Sequence, residues 1–271
     1  MKRALLTMAG FVAPLLFASS AYAPPPAPPV LDHFKCYPMG DTTPVNEFVS
    51  LRDQFSPPPP PPSTGGPGII ESVVVDRAVI FCNPVAKTDS TGNVTPISNF
   101  NNHLKMYRFH PNIPNPQGLT ITNQFGGQNV TISAPVLLAV PTQKDSLPPP
   151  SGLDHFRCYP AIVTPGATGQ PTFPIHVTLK DQFDKQPEEV EVLGVVAFCA
   201  PAEKFHNGQI TPIQSPPPEP DHLTCYVFQE RTTAPASTTR VQTNNQFGPE
   251  KFFVRQARYL CVPTSKQEIS G

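Results

Sequence analysis

Short segments in which apolar and polar residues alternate recur along the chain. A period of two residues, rich in β-branched and aromatic side chains, predicts β-strands. The clearest segments of this kind lie at 33–38, 48–55, 73–82, 155–160, 175–183 and 190–199. Proline, glycine, threonine and valine interrupt any longer helical period. The fold class is therefore predicted to be all-β.

These strands belong to a segment that occurs four times in the sequence. Each copy opens on Asp/Asn-His-apolar-x-Cys-Tyr, passes through an Asp/Asn-Gln-Phe corner and closes on Cys-x-Pro. The copies begin at Asp32, Asn102, Asp154 and Asp221. Copy two departs from the pattern, because Met106 and Ala139 stand at its two cysteine positions. A cysteine that loses its bonding partner has no structural use, so this joint loss indicates that the two cysteines of a copy bond each other.

The six cysteines are therefore predicted to form one disulfide in each remaining copy. The predicted pairs are Cys36–Cys82, Cys158–Cys199 and Cys225–Cys261. A zinc site would need close C-x-x-C pairs or several thiolates and imidazoles together, and the spacing offers neither. Disulfides in turn favour an exported protein.

The N-terminus has the layout of a secretory signal peptide. Lys2 and Arg3 precede an apolar stretch over 4–17 and small residues over 18–23. Residues 1–23 are predicted to be removed, with cleavage after residue 21 or 23, leaving no integral membrane segment. The expected location is extracellular, at the cell surface or in the periplasm. With 19 basic and 20 acidic residues the chain has no basic stripe for nucleic acid.

The copies resemble each other in alternation, which predicts two modules. Copies one and three share LDHF[K/R]CYP, whereas copies two and four share Asn-Gln-Phe-Gly and Val-Pro-Thr-x-Lys. A single copy of about 45 residues is close to the lower limit for independent folding, so two copies are expected to share a core. Module 1 is placed at 31–144, with repeats 31–87 and 102–144, and module 2 at 153–266, with repeats 153–204 and 221–266. Each is expected to be a β-sandwich or a barrel-like unit, and proline-rich linkers are expected at 24–30 and 145–152.

Copy one carries an insertion with six consecutive prolines at 57–62. Such a run favours an exposed polyproline II segment. A spacer or loop decoration is the favoured interpretation, and a PxxP ligand for a protein partner is the alternative.

The Asp/Asn-His pair is the most tempting site for chemistry. It recurs as Asp32-His33, Asn102-His103, Asp154-His155 and Asp221-His222. An active site rarely needs four copies, so we expect the carboxylate or amide to cap a turn or bond backbone amides while the imidazole packs beside a strand. Metal binding is the alternative, although the pair would still lack further ligands.

The Asp/Asn-Gln-Phe corner is expected to end a strand. Its glutamine is predicted to bond the backbone, and its phenylalanine to fill the core, with ligand binding as the alternative. The four phenylalanines are Phe55, Phe125, Phe183 and Phe247. Charged residues at 185, 188, 189 and 191 are interpreted as a solvated strand edge. No nucleophile elbow or phosphate loop is found, which favours a non-enzymatic protein without catalytic residues, metal or cofactor.

The DHF[K/R]CY openings, [D/N]QF corners and Cys-x-Pro endings resemble an uncharacterised repeat family of secreted bacterial proteins. The resemblance covers nearly all of the chain after the signal peptide. It implies export and a modular architecture, and it supplies no catalytic or binding residues.

Together these features predict a structural or interaction protein of the cell surface, envelope or matrix. Its expected partners are proteins or cell-surface components. The alternative is a secreted carbohydrate- or ligand-binding protein, for which glycans are candidate ligands. The absence of tryptophan counts against glycan binding, because tryptophan is the best stacking surface for sugars.

Overall fold

The computed structural model describes residues 31–57, 70–164, 169–214, 222–231 and 239–269. The predicted signal peptide, the linker at 24–30 and most of the hexaproline segment lie outside these ranges, as does Asp221. Every regular element in the described part is a strand. The predicted all-β class is confirmed.

Each copy contains an opening strand, a hairpin and a closing strand. Copy one has β1 (Phe34–Gly40), β2 (Pro44–Arg52) and β3 (Glu71–Pro84), followed by the short β4 (Ala86–Thr88) and β5 (Val94–Thr95). Copy two has β6 (His103–His110), β7 (Gln117–Asn123), β8 (Gly126–Ile132) and β9 (Leu137–Lys144). Copy three has β10 (His155–Val163), β11 (Ile175–Lys180), β12 (Glu188–His206) and β13 (Gln209–Thr211). Copy four has β14 (His222–Glu230), β15 (Thr239–Asn245), β16 (Gly248–Val254) and β17 (Tyr259–Glu268). In copies one and three, the second hairpin strand and the closing strand are one continuous strand.

The opening and closing strands of all four copies pair into one closed antiparallel ring. Its order is β1, β3, β6, β9, β10, β12, β14, β17 and back to β1. Two of these pairings join the halves of the chain: Ala139 of β9 lies opposite Phe156 of β10, and Phe34 of β1 lies opposite Cys261 of β17.

The prediction of two separate modules is not confirmed, because the strand pairing joins the two halves of the chain. Each half on its own would present two strand edges with unpaired N–H and C=O groups, and joining the halves pairs both edges. The boundaries 31–144 and 153–266 remain a prediction about duplicated sequence, and the sheet runs across them.

The hairpins interlock copies that are not neighbours in the ring. The first hairpin strand of each copy pairs with the end of the closing segment two copies along: β2 with β12, β7 with β17, β11 with β4, and β15 with β9. The hairpin of copy one therefore pairs with copy three, and the hairpin of copy three pairs with copy one. Copies two and four pair in the same reciprocal way.

The interior of the ring contains a level that is rich in sulfur. Four cross-strand pairs occupy it: Cys36 and Cys82, Met106 and Ala139, Cys158 and Cys199, Cys225 and Cys261. We call these eight residues the sulfur layer. Its three cysteine pairs are disulfide-bonded, and they are the pairs predicted from the repeats. All eight residues belong to one buried cluster, in which the sulfurs of Cys36 and Cys261, from different disulfides, are 3.8 Å apart.

Candidate functional site

Each Asp/Asn-Gln-Phe corner is an Asx turn. The side-chain oxygen of its first residue accepts a hydrogen bond from the phenylalanine N–H two residues later, at 2.8–3.0 Å. Aspartate and asparagine favour this turn because their side chains reach their own backbone at this spacing. The four turns are formed by Asp53, Asn123, Asp181 and Asn245. They place the following glutamine and phenylalanine in the same orientation in every copy.

The glutamine of each corner contacts the histidine of the preceding copy. The His33 Nε2 atom lies 2.7 Å from Oε1 of Gln124, and the His155 Nε2 atom lies 3.1 Å from Oε1 of Gln246. The remaining contacts, Nε2 of His103 with Nε2 of Gln182 and Nε2 of His222 with Nε2 of Gln54, are both 2.5 Å. The expectation that the glutamine amide bonds backbone is therefore wrong. Its partner is an imidazole, and the four contacts form a cycle through the copies.

Burial keeps three of these imidazoles, those of His33, His103 and His155, neutral at physiological pH. Desolvation lowers the pKa of His33, His103 and His155 to about 4 in each case. Positive charge adds to this effect, because Lys87 faces His33 and Lys204 faces His155. In the described ranges, no three His, Cys, Asp or Glu side chains lie close enough together to hold a metal ion.

In copies one, two and three, the residue before the histidine binds the connector that follows its copy. The Asp32 carboxylate accepts hydrogen bonds from the backbone N–H groups of Ser98 at 2.6 Å and Asn99 at 3.0 Å. Asn102 accepts from the N–H of Ser151 at 3.2 Å, and Asp154 accepts from the N–H of Gln214. This is the capping arrangement expected from the sequence for these three residues.

The repeated tyrosines connect copies two places apart. The Tyr37 hydroxyl donates to Asp181 at 2.7 Å, and the Tyr159 hydroxyl donates to Asp53 at 2.6 Å. In the other two copies an asparagine is the donor: Asn123 to Tyr226 at 2.8 Å and Asn245 to Tyr107 at 3.0 Å. The corner phenylalanine packs edge-on against the same tyrosine, with ring centroids 4.9–5.3 Å apart.

Buried ion pairs also connect copies that are two places apart. Lys35 donates to Asp184 at 2.8 Å and to Glu188 at 2.5 Å, and its side chain is only 1% exposed. Arg157 contacts Glu71 at 2.5 Å. Lys105 contacts Glu250, again from a side chain that is 1% exposed. Glu188, interpreted from the sequence as part of a solvated edge, is 26% exposed and is also the partner of a buried lysine.

The fourth pair of residues in this set carries no charge on either partner. Thr224 stands where the other copies have a cation and bonds Thr264 at 2.9 Å. Gln128 stands where they have glutamate and donates to the Tyr226 hydroxyl at 2.7 Å. Cation and carboxylate are absent together, as a buried charge without its partner would be costly. Sequence reasoning missed these pairs, although a basic residue two positions after histidine in three copies was a usable signal.

The pKa values of the cluster around Asp181 are perturbed by burial and by neighbouring charges. Burial, with the nearby charge of Asp184, raises the pKa of Asp181 to about 6. Burial acts to lower the pKa of Lys35, but the carboxylates of Asp181 and Asp184 outweigh it and raise that pKa. The cluster binds copy one to copy three.

A cavity lies at the end of the ring beyond the sulfur layer. Its volume is about 180 Å³, and its wall includes sulfur-layer residues together with Ile80, Leu137 and Tyr259. A wider recess of about 620 Å³ shares these three residues and adds Arg108 and Arg258. The two therefore form one opening with an apolar floor and a basic rim, which sequence reasoning did not find.

No helix within the described ranges is long and apolar enough to cross a membrane. No curated protein and no solved structure matches the chain. A family model does match: the repeat of unknown function DUF7450 covers residues 100–263, from the start of copy two to the end of copy four. More than half of the sequence lies within this match, and the chain therefore belongs to the DUF7450 repeat family.

Proposed function

We propose that the protein is an exported, non-enzymatic interaction protein of the cell surface, envelope or matrix. One observation carries this proposal: the polar residues that recur in the copies are used to bind the copies to each other. The imidazoles contact glutamines, the corner carboxylates and amides contact tyrosines, and the buried cations contact glutamates.

This use of the repeated residues favours a structural role over catalysis. A general base or nucleophile needs a free lone pair within reach of a substrate. His33 and His155 are only 7% and 6% exposed, and each has its Nε2 atom against a glutamine. Groups arranged in this way stabilise a fold.

The disulfides support the exported location. Three of them lie in the interior of one ring, and proteins of reducing compartments rarely keep such bonds. The signal peptide over residues 1–23 remains a prediction that agrees with this placement.

Exposed apolar side chains provide candidate contact positions for a protein partner. Phe48, Phe100, Ile162 and Ile210 are between 61% and 76% exposed. Aromatic residues at the surface are frequent anchors of interfaces. Phe48 is the foremost candidate, because it is the most exposed of the four.

Fractionation of the source cells combined with photo-crosslinking tests this proposal. A photoreactive residue is introduced at Phe48 or Phe100, with exposed Lys251 as the control position. We expect the mature chain outside the cytoplasm, with a discrete protein adduct at one apolar position and none at the control. A cytoplasmic chain with reduced cysteines would contradict the proposal.

The second candidate function is a secreted ligand-binding protein. The cavity at the end of the ring favours it, because ligand sites are concave, mostly apolar and fitted with a few polar groups. The lack of tryptophan favours a ligand other than a glycan.

A further inference from the structure

The fourfold pattern breaks at the end of the ring where the cavity opens. The residue after the repeated tyrosine is Pro38, Pro160 or Val227 in three copies, but Arg108 in copy two. The position three residues before the closing cysteine or alanine is valine in the first three copies, but Arg258 in copy four. Both arginines line the same recess. Two departures from the repeat, each to arginine, therefore meet at one end of the ring.

The cavity behind these arginines is apolar and lies against the sulfur layer. Its sulfur-bearing residues are Cys36, Met106, Cys158, Cys199, Cys225 and Cys261. Ile80, Leu137 and Tyr259 are shared with the recess and are partly exposed, so the cavity communicates with solvent. Cavities of about 150 Å³ with apolar walls accept a benzene ring. A volume of about 180 Å³ is therefore sufficient for one.

The rim of the recess carries positive charge, and no acidic residue lines the recess to neutralise it. In the part of the chain that the structure describes, neither Arg108 nor Arg258 forms an ion pair, and both are exposed. Guanidinium groups recognise carboxylates by paired, charge-assisted hydrogen bonds.

We propose that this opening binds a small amphiphilic carboxylate. The apolar body, of the size of a phenyl ring, occupies the cavity against the disulfides and Met106, where sulfur–aromatic contacts are favourable. The carboxylate faces the rim and binds Arg108 and Arg258. This inference rests on the second candidate function and gives it a ligand class. The interaction function proposed first does not depend on it.

The test uses the full mature chain and two matched probes, 3-phenylpropionate and the neutral 3-phenylpropan-1-ol. Binding is measured by isothermal titration calorimetry and by ligand-observed NMR. We expect the carboxylate to bind at least about tenfold more tightly than the alcohol, as charge-assisted hydrogen bonds imply. The double substitution Arg108→Gln with Arg258→Gln should abolish this preference and leave binding of the alcohol unchanged. Arg255→Gln is the control, because Arg255 is exposed but does not line the recess.

Filling the cavity provides the second arm. Ala197→Leu and Val136→Phe each add volume to a lining residue, and each should reduce the binding of both probes by about tenfold or more. Thermal unfolding shows which of these variants retain the fold. Equal affinity for the two probes, no binding at millimolar concentration, or binding that survives in a folded cavity-filling variant would overturn the proposal. Any of these results leaves the crosslinking test of the interaction function untouched.

Discussion

The imidazole of His222 lies 2.5 Å from the side-chain amide nitrogen of Gln54, a residue 168 positions earlier in the chain. This contact joins copy four to copy one and completes the cycle of histidine–glutamine contacts. The β1–β17 pairing closes the ring at the same junction. The two ends of the repeat array are thus held together by side chains as well as by backbone.

The first prediction concerns this cycle of contacts. Gln124→Ala removes the hydrogen-bonding partner of the buried His33. We expect a loss of about 1–3 kcal/mol in the free energy of unfolding, because a buried polar group is left unsatisfied. Urea unfolding followed by circular dichroism measures it. Gln209→Ala, at an exposed position of β13, is the control and should change stability by less than about 0.5 kcal/mol.

The second prediction concerns the halves of the chain. Residues 31–144 expressed alone lack the copies that supply the partners of Tyr37 and Lys35. They also leave open the strand edges of β1 and β9. We expect this fragment not to form a stable monomer. Size-exclusion chromatography with light scattering and thermal unfolding test this, with residues 31–269 as the control. A monomer that unfolds cooperatively at the midpoint of the full chain would contradict the interlocked ring.

Much of the fold could be predicted from the sequence because its signals are local or repeated. Strands follow from alternation, and the disulfide pairs follow from the joint replacement of two cysteines by Met106 and Ala139. The grouping of copies into two modules is not confirmed, and the reason is physical. The sequence similarity between copies one and three reflects how the chain was duplicated. The contacts between copies depend instead on which strands are neighbours in the ring. Nothing near Gln54 in the sequence indicates that it reaches His222.

The cavity was missed for a different reason. The residues that repeat hold the copies together, so the repeat pattern indicates no ligand site. Arg108 and Arg258 are visible in the sequence as departures from proline and valine. Only the register of β6 and β17 shows that both departures fall at one end of the ring.

The third prediction concerns the missing bond of copy two. Met106 lies opposite Ala139 at the same level as the three disulfides. The double substitution Met106→Cys with Ala139→Cys should therefore form a fourth disulfide. In the chain-entropy model a bond closing such a loop stabilises by roughly 3–4 kcal/mol, and strain reduces this figure. Thiol titration and mass spectrometry of unreduced peptides measure the bond, and thermal unfolding measures its effect. Two titratable thiols in the folded variant would contradict the inference that positions 106 and 139 are equivalent to the bonded cysteine pairs of the other copies. The single variant Ala139→Cys is the control.

The fourth prediction concerns the neutral member of the ion-pair set. Thr224→Lys alone buries a cation, and Gln128→Glu alone buries a carboxylate, so each should destabilise the protein. The two together should recreate the pair formed by Lys105 and Glu250. We expect a favourable coupling energy of about 1–3 kcal/mol in a double-mutant cycle from urea unfolding. Additive losses would mean that the two positions do not meet.

The fifth prediction concerns acid. The pKa of His33, His103 and His155 is lowered from 6.5 to about 4, so the unfolded chain binds up to three more protons than the native chain between these values. Their stabilising contribution is present above pH 6.5 and is lost as the pH falls through about 4. Asp181 opposes this trend, because its pKa is raised from 3.8 to about 6 and it takes up a proton in the native state. Burial raises the pKa of Asp32 and Asp53 and acts in the same direction as Asp181.

The effect of the histidines on stability should exceed that of the aspartates over part of this pH range, because the pKa shifts of the histidines are large and three histidines contribute. We therefore expect the free energy of unfolding to decrease between pH 6.5 and pH 4, with each histidine contributing about 1.4 kcal/mol per pH unit at most. Urea unfolding at half-unit steps of pH measures the slope. His155→Gln should make the slope shallower, because it removes one of the three groups, whereas His176→Gln, at an exposed position, should leave it unchanged. A slope that is flat in the parent chain, or that is equal in all three proteins, would show that the imidazoles are not held neutral by burial.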